Sequence, residues 1–109
     1  MVIDFSKNEA AANKNFKGGD GEVLIKGFND SKVKIMQLTI PQGSTIGQHT
    51  HTTNSEELLV LQGYGHFIID GKREDVKAGM SHYCPVGSTH TFINDGKEPV
   101  IFFAVVPEQ

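Results

Sequence analysis

From residue 23 onward, the chain consists of short apolar segments separated by residues that favour turns. Asp70 and Gly71 join two of these segments, which is the pattern of a tight two-residue β-hairpin. The segments are about five residues long, and none has the length of a helix that could connect parallel strands. The sequence therefore predicts an all-β fold, an antiparallel sandwich or barrel.

Residues 1–22 differ from the rest of the chain. Ser6 and Glu9 have the spacing of a helix capping box before three consecutive alanines, and glycines at positions 18, 19 and 21 then interrupt the chain. The sequence predicts a short helical turn within an N-terminal arm, residues 1–22, followed by one β-domain, residues 23–109. A chain of 109 residues has room for one domain of ordinary size.

The charge and hydropathy of the chain argue against several classes of partner. The formal net charge is −3 and there is no run of Lys or Arg, so neither nucleic acid nor an acidic membrane surface is an expected partner. The longest apolar run, residues 100–106, is far shorter than the roughly 20 residues that cross a bilayer. The N-terminus lacks the pattern of a secretory signal, and a single cysteine cannot form an internal disulfide. We expect a soluble cytoplasmic protein.

Four residues have the chemistry and spacing of metal ligands. His49 and His51 are two positions apart, so an extended strand presents both imidazoles on one face. Glu56 follows across a polar stretch that can turn back, and His90 begins a later strand segment. Three neutral imidazoles and one carboxylate suit a divalent ion, and six-coordination would leave two positions open for a ligand. The alternative for each residue is a solvated or hydrogen-bonded polar group in a loop.

The same residues lie within two motifs. Residues 43–63 resemble the first signature of the cupin superfamily, and residues 79–94 resemble the second. The matching positions are Gly43, His49, His51, Glu56 and Gly63 in the first motif, and Gly79, Pro85, Gly87, His90 and Asn94 in the second. Glu57 is a competing carboxylate, but the gap to Gly63 favours Glu56, and neighbouring strand residues point to opposite faces.

This resemblance implies a fold, a cofactor and a range of activities. The fold is a small antiparallel β-barrel, or double-stranded β-helix of jelly-roll type, often in a homodimer. The cofactor is one divalent transition metal, such as iron, manganese, nickel, zinc or cobalt. Its ligands would be the positions that here are His49, His51, Glu56 and His90. Members of the superfamily include dioxygenases, decarboxylases, sugar isomerases and epimerases, lyases, and non-catalytic binding modules.

Three further residues lie near these motifs. His82 and Cys84 share one face of the strand before the second turn, and an inward His82 is the candidate catalytic acid or base outside the ligand set. The alternative for His82 is a hydrogen-bonded interior histidine. Cys84 is expected to be a small buried apolar residue. His66 follows Tyr64 and Gly65, where the strand phase is ambiguous, and is expected to be exposed.

Two functional hypotheses follow from this set of residues. The first is a metal-dependent enzyme that acts on a small oxygen-rich molecule, a keto acid, hydroxy acid or sugar derivative, by isomerase, lyase or dioxygenase chemistry. The second is a non-catalytic module that binds or senses a small ligand through the metal. A purely structural metal site ranks last, since structural zinc sites are usually closed and rich in thiolates.

Overall fold

The computed structural model describes residues 1–7 and 9–109 of the chain. Ten strands within these residues form two sheets, in which all pairs of neighbours are antiparallel. The strands are β1 (Ala11–Lys14), β2 (Glu22–Asn29), β3 (Val33–Ile40), β4 (Thr45–Thr50), β5 (Glu56–Gln62), β6 (Tyr64–Ile69), β7 (Lys72–Lys77), β8 (Ser81–Cys84), β9 (Thr89–Ile93) and β10 (Val100–Pro107). The prediction of an all-β, jelly-roll-like fold is confirmed.

The two sheets enclose one apolar core. The six-stranded sheet has the order β1-β2-β3-β10-β5-β8, and the four-stranded sheet has the order β4-β9-β6-β7. β10 lies between β3 and β5 and buries every second side chain, as expected for a strand with one face on a core. Phe67 and Phe92 enter the core from β6 and β9, and the ring centroid of Phe67 lies 5.7 Å from that of Phe102 on β10. Both sheets therefore contribute to the same aromatic cluster.

The hairpin between β6 and β7 has the predicted turn. Asp70 and Gly71 have φ angles of 48° and 81°, and Ile69 pairs with Lys72 directly across the turn. Positive φ at both central residues is the geometry of a type I′ turn, whose twist matches that of the flanking strands. This turn sets the register in which Phe67 on β6 lies opposite Glu74 on β7.

The N-terminal residues form a strand where the sequence predicted a helical turn. β1 pairs with β2, with Ala11 opposite Ile25 and Lys14 opposite Glu22. Alanine favours helix, but the free edge of β2 offers backbone partners, and this tertiary pairing overrides the local preference. The prediction of a helical turn in this segment was wrong. A short 3-10 helix comes later, at Phe16–Gly18.

This 3-10 helix packs closely against β4. A Cβ atom at Gly47 would overlap the carbonyl oxygen of Lys17, and a Cβ atom at Gly19 would lie 2.7 Å from the backbone nitrogen of Gly47. Two glycines therefore allow the two backbones to approach each other. The contact holds Lys17 beside the strand that carries His49.

β7 forms one edge of the four-stranded sheet. Its sequence is KREDVK, and only Val76 in it is buried. The exposed residues are therefore all charged. In the described part of the chain there is no helix whose length and hydropathy would allow it to cross a membrane.

Candidate metal centre

Residues from both sheets meet at one point between them. His49 on β4 and His90 on β9 are paired directly across the four-stranded sheet, and His51 follows the end of β4. Glu56 is the first residue of β5 in the six-stranded sheet. One ligand atom from each of the four residues lies within 4.8 Å of the others. The structure thus brings together all four residues that the sequence predicted as ligands.

The atoms that face one another are three imidazole nitrogens and a carboxylate oxygen. His90 Nε2 lies 3.0 Å from His51 Nε2 and 3.1 Å from His49 Nε2. Glu56 Oε1 lies 3.2 Å from both His51 Nε2 and His90 Nε2. Glu56 and His90 are only 7% and 2% exposed, so the convergence occurs away from bulk solvent.

Hydrogen bonds on the far side of two imidazole rings determine which nitrogen carries the proton. His49 Nδ1 lies 2.7 Å from the carbonyl oxygen of Gly47, which can only accept. His51 Nδ1 lies 2.5 Å from Asn54 Oδ1, and the amide of Asn54 is oriented by its Nδ2, which donates to Glu108 Oε1 at 3.1 Å. Both rings therefore hold the proton on Nδ1, and in the neutral rings the lone pair of Nε2 points inward.

This donor set fits a divalent transition metal. Lone pairs on imidazole nitrogens and a carboxylate oxygen repel one another at about 3 Å unless a metal ion or a proton lies among them. Imidazole and carboxylate are ligands of zinc, iron, nickel, cobalt and manganese alike, so the residues could hold one of these ions without selecting among them. A metal would be held by His49, His51, Glu56 and His90.

The pKa values of the cluster follow from burial and from these contacts. Burial opposes ionisation of Glu56, but contact with His51 and His90, in the forms of these rings that carry a proton on Nε2, outweighs it and lowers the pKa of that carboxyl to about 2. The hydrogen bond to Glu56 raises the pKa of His51, whereas burial lowers the pKa of His49. A proton between His51 and Glu56 therefore competes with a metal ion for the same position.

Metal affinity is expected to fall as the pH is lowered. The raised pKa of His51 means that protonation begins above the usual value of about 6.5, while Glu56 stays ionised and adds no pH dependence near neutrality. Affinity should fall about tenfold per pH unit for each proton that the metal must displace. Competition with a chelator between about pH 5 and 8 would measure this slope. A metal content that does not change down to about pH 4.5 would contradict histidine ligation.

A cavity of about 340 Å³ opens beside the four residues. Its walls include Phe16, Met36, Ile46 and Phe92 on the apolar side and Thr50, Thr52 and Thr53 on the polar side. Lys17 and Lys34 also line it, and neither side chain forms a salt bridge within the described residues. Both lysines are therefore available to an anionic ligand. A concave pocket in which polar groups converge beside apolar side chains suits a small polar molecule.

His82 lies behind His90 and not in the cavity wall. Its Nε2 is 3.0 Å from His90 Nδ1, and its Nδ1 is 2.7 Å from Glu74 Oε1. Its ring is buried and stacks on Phe67, with 3.6 Å between centroids and 7° between planes. Both ring nitrogens are thus engaged with protein groups. A direct acid or base role of His82 toward a ligand stays a prediction.

The structure separates the other candidate residues from the cluster. Glu57 is exposed and accepts a hydrogen bond from Ser81 Oγ at 2.6 Å. Cys84 is fully buried, as expected, and burial raises the pKa of its thiol to about 11. At neutral pH that thiol is protonated, which argues against a role as a nucleophile, and Cys84 is not among the four residues that converge.

The expectation that His66 is exposed was wrong. Its side chain is buried, with only 7% of the residue exposed, and Nδ1 lies 3.3 Å from Asp95 Oδ2. Asp95 is in turn 3.8 Å from Arg73. Asp95 follows β9, so the local sequence of β6 does not reveal this contact.

The sequence did not reveal two residues that form hydrogen bonds with histidines in and behind the cluster. Asn54 lies three residues after His51, and a polar residue at this distance can reach back to the ring within a tight turn. Glu74 could have been found from the hairpin, because a two-residue turn at Asp70 and Gly71 places position 74 opposite Phe67. An inward Phe67 then implies an inward Glu74.

Known proteins share this arrangement of strands and motifs. A family model described as a cupin domain matches residues 36–106. The chain is 31% identical to an oxalate-binding protein of Thermotoga maritima over 112 aligned residues, which cover 97% of this chain and 93% of the relative. It is similar to the solved structure of a predicted oxalate decarboxylase of Thermotoga maritima, with a TM-score of 0.94, 29% identity and 100% of both chains covered. A Klebsiella pneumoniae protein with a double-stranded β-helix domain shares the fold at a TM-score of 0.80 and 21% identity, over 99% of this chain and 90% of that one.

Proposed function

Because this chain belongs to the cupin family, we propose that it binds one divalent transition metal and, through it, a small organic acid of the oxalate type. The observation that carries the proposal is the inward convergence of three imidazole nitrogens and a carboxylate beside a cavity that also presents two lysines. The relative named as an oxalate-binding protein, which matches nearly the whole chain, supports an acid as the ligand.

Different groups of residues around the cavity contribute to ligand binding in different ways. When bound, the metal supplies Lewis acidity that attracts and polarises ligand oxygens. Lys17 and Lys34 provide positive charge for a carboxylate at the cavity wall, and the hydroxyl groups of Thr50 and Thr52 can donate hydrogen bonds, whereas that of Thr53 already donates to Glu108 Oε2. Met36, Ile46 and Phe92 keep the inner wall apolar, so that charged contacts inside are less screened by water.

Calorimetric titration of oxalate into the metal-loaded protein tests the proposal. We expect binding at about one oxalate per chain, a much weaker response to acetate, which offers one carboxylate, and no response to oxalate after the metal is removed with a chelator. Binding of a neutral sugar in preference to oxalate would overturn the assignment of an acid. Equal binding of oxalate with and without metal would overturn the role of the metal.

Removing either lysine charge is expected to weaken oxalate binding. Lys17→Met and Lys34→Met each keep most of the side-chain length, and each should lower the affinity about tenfold, since a charge-assisted hydrogen bond contributes roughly 1.5 kcal/mol or more. The control is Lys72→Met, which removes the same charge from the exposed start of β7. An unchanged affinity in both cavity variants would show that the lysines do not contact the ligand.

A catalytic role is the second candidate function. It is favoured by the similarity to the solved structure of a predicted oxalate decarboxylase of Thermotoga maritima. Decarboxylation of oxalate consumes one proton and yields formate and carbon dioxide, so release of formate from the metal-loaded protein is the decisive measurement. Among the described residues, the cavity wall offers no ionisable side chain beyond the four ligands and the two lysines, which favours binding without turnover. Isomerase or dioxygenase chemistry on a keto acid, hydroxy acid or sugar derivative stays a prediction.

We also propose that the protein forms a homodimer through the outer face of its six-stranded sheet. Leu61 on β5 and Tyr83 on β8 project from this face and are 48% and 58% exposed, which is a large exposure for apolar side chains. Sedimentation should give about twice the 11.9 kDa mass of one chain, and a Leu61→Glu/Tyr83→Glu variant should sediment as a monomer, whereas Lys32→Glu should not change the mass. A monomeric parent protein would refute this proposal.

A further inference from the structure

We infer that Glu74 and His82 form a positioning pair that fixes the proton of His90 on Nδ1, and so presents an unprotonated Nε2 to the metal site. The inference rests on the proposed metal-binding function. It assigns a role to two residues that do not themselves belong to the cluster of four. Both act through His90, which takes part in three of the four short contacts within the cluster.

The three side chains form one continuous chain of contacts. Glu74 Oε1 lies 2.7 Å from His82 Nδ1, and His82 Nε2 lies 3.0 Å from His90 Nδ1. The planes of the two imidazole rings differ by only 15°, and their centroids are 5.3 Å apart. The two nitrogens therefore meet edge to edge in nearly one plane, where the N–H of one ring points along the lone pair of the other.

The direction of each hydrogen bond follows from the carboxylate. An ionised carboxylate can only accept, so His82 Nδ1 must donate to Glu74. A neutral imidazole carries one proton, which leaves His82 Nε2 as an acceptor. His90 Nδ1 must then donate to it, and the neutral His90 has its lone pair on Nε2, facing Glu56 and His51. The charge of Glu74 on β7 thereby sets the tautomer of His90 on β9.

The residues around the series of hydrogen bonds from Glu74 through His82 to His90 keep these side chains in place. The side chain of His82 is 0% exposed and Phe67 covers its face at 3.6 Å, whereas the side chain of Glu74 is 50% exposed, so the contact between His82 and His90 is the part of the chain that is shielded from water. Phe67 is also nearly parallel to His90, with 13° between the planes. Among the three imidazole ligands, His49 and His51 donate to neutral groups, a backbone carbonyl and an amide, whereas the chain behind His90 ends in a carboxylate. Hydrogen bonds to such outer partners orient metal-binding imidazoles and raise their basicity.

Metal affinity of Glu74 variants provides the first test. Glu74→Ala removes the acceptor and should lower the affinity for zinc or manganese about 10- to 100-fold, the usual effect of losing an outer partner of a ligand histidine. Glu74→Gln keeps an oxygen that can accept the same hydrogen bond and should recover part of this loss. The control is Asp75→Ala, the neighbouring carboxylate on β7, which pairs with Arg73 and does not contact His82. It should bind metal as the parent protein does.

The tautomer of His90 in the metal-free protein provides the second test. Proton–nitrogen correlation spectra of the histidine side chains at about pH 8, where imidazoles are neutral, identify the nitrogen that carries the proton. We expect Nδ1–H for His90 in the parent protein and in Asp75→Ala, and a shift toward Nε2–H in Glu74→Ala. A purely structural role of Glu74 would not move this signal.

A double-variant cycle completes the design. His82→Phe keeps an aromatic ring against Phe67 but offers no acceptor to His90. Because Glu74 and His82 act in one series of hydrogen bonds, the Glu74→Ala/His82→Phe variant should lose no more affinity for the metal than His82→Phe alone.

Three results would overturn the inference. They are additive losses of affinity in the double variant, a parent His90 that carries its proton on Nε2, and a Glu74→Ala variant with unchanged affinity and tautomer. A parent protein that binds no metal, but has the expected tautomer and its shift in Glu74→Ala, would refute the proposed function and leave the positioning role standing.

Discussion

The His49→Ala/His51→Ala variant is expected to lose its metal completely. Elemental analysis of the parent protein should find about one equivalent of a first-row metal per chain, and the variant should contain nearly none, because two of the four converging ligands are gone. The two remaining ligands, Glu56 and His90, cannot surround an ion on several sides. The identity of the metal in the parent protein comes from the same measurement.

The control for this experiment is His66→Gln, which removes a buried histidine outside the cluster. It should keep its metal. Denaturant unfolding of the two metal-free proteins shows whether the double variant remains folded, because loss of metal is informative only for a folded chain. Retention of a full equivalent of metal in the double variant would mean that the metal binds elsewhere.

Phe67→Ala is expected to lower the free energy of unfolding by about 3–5 kcal/mol, a large part of the stability of a small domain. Phe67 is 1% exposed, and its ring contacts Phe92 and Phe102 in the core. It also covers the ring of His82. The substitution therefore opens a cavity in the core and at the same time removes the surface on which His82 is stacked. Denaturant unfolding of the metal-free protein isolates this effect, because bound metal would add its own stabilisation.

A matched control for this substitution is Phe103→Ala on the outer face of β10. Phe103 is only partly buried, and its nearest aromatic partner is Phe5 at 6.2 Å between centroids. Its loss should lower the free energy of unfolding by clearly less than that of Phe67, since less apolar surface returns to water. Equal losses in the two variants would mean that the core is not centred on the Phe67 cluster.

The features that the sequence predicted best depend on the alternation of side chains along a strand and on the residues that favour tight turns. His49 and His51 share a strand face because of their spacing, and the choice of Glu56 over Glu57 followed from the gap to Gly63, together with alternation along the strand. The turn at Asp70 and Gly71 could be recognised from two residues, because few sequences tolerate two successive left-handed conformations. These are local rules, and the features that depend on them could be predicted without coordinates.

Features that depend on distant parts of the chain were not accessible in this way. β1 forms because the edge of β2 is available to it, and local alanine content gave the opposite expectation. His66 is buried and contacts Asp95, which belongs to another part of the chain. The contact between Glu74 and His82 joins strands of different sheets, so it depends on how the sheets pack. Burial and outer hydrogen-bond partners are properties of the assembled core.

The charged edge of the four-stranded sheet has a consequence for the behaviour of the protein at high concentration. An unpaired edge strand offers its backbone N–H and C=O groups to any other extended chain, which is the first step of fibre growth. Five of the six residues of β7 are charged, namely Lys72, Arg73, Glu74, Asp75 and Lys77. A second strand that paired there would have to desolvate these charges. The strand that brings Glu74 to His82 is therefore also the one that prevents this sheet from being extended by another copy of the chain.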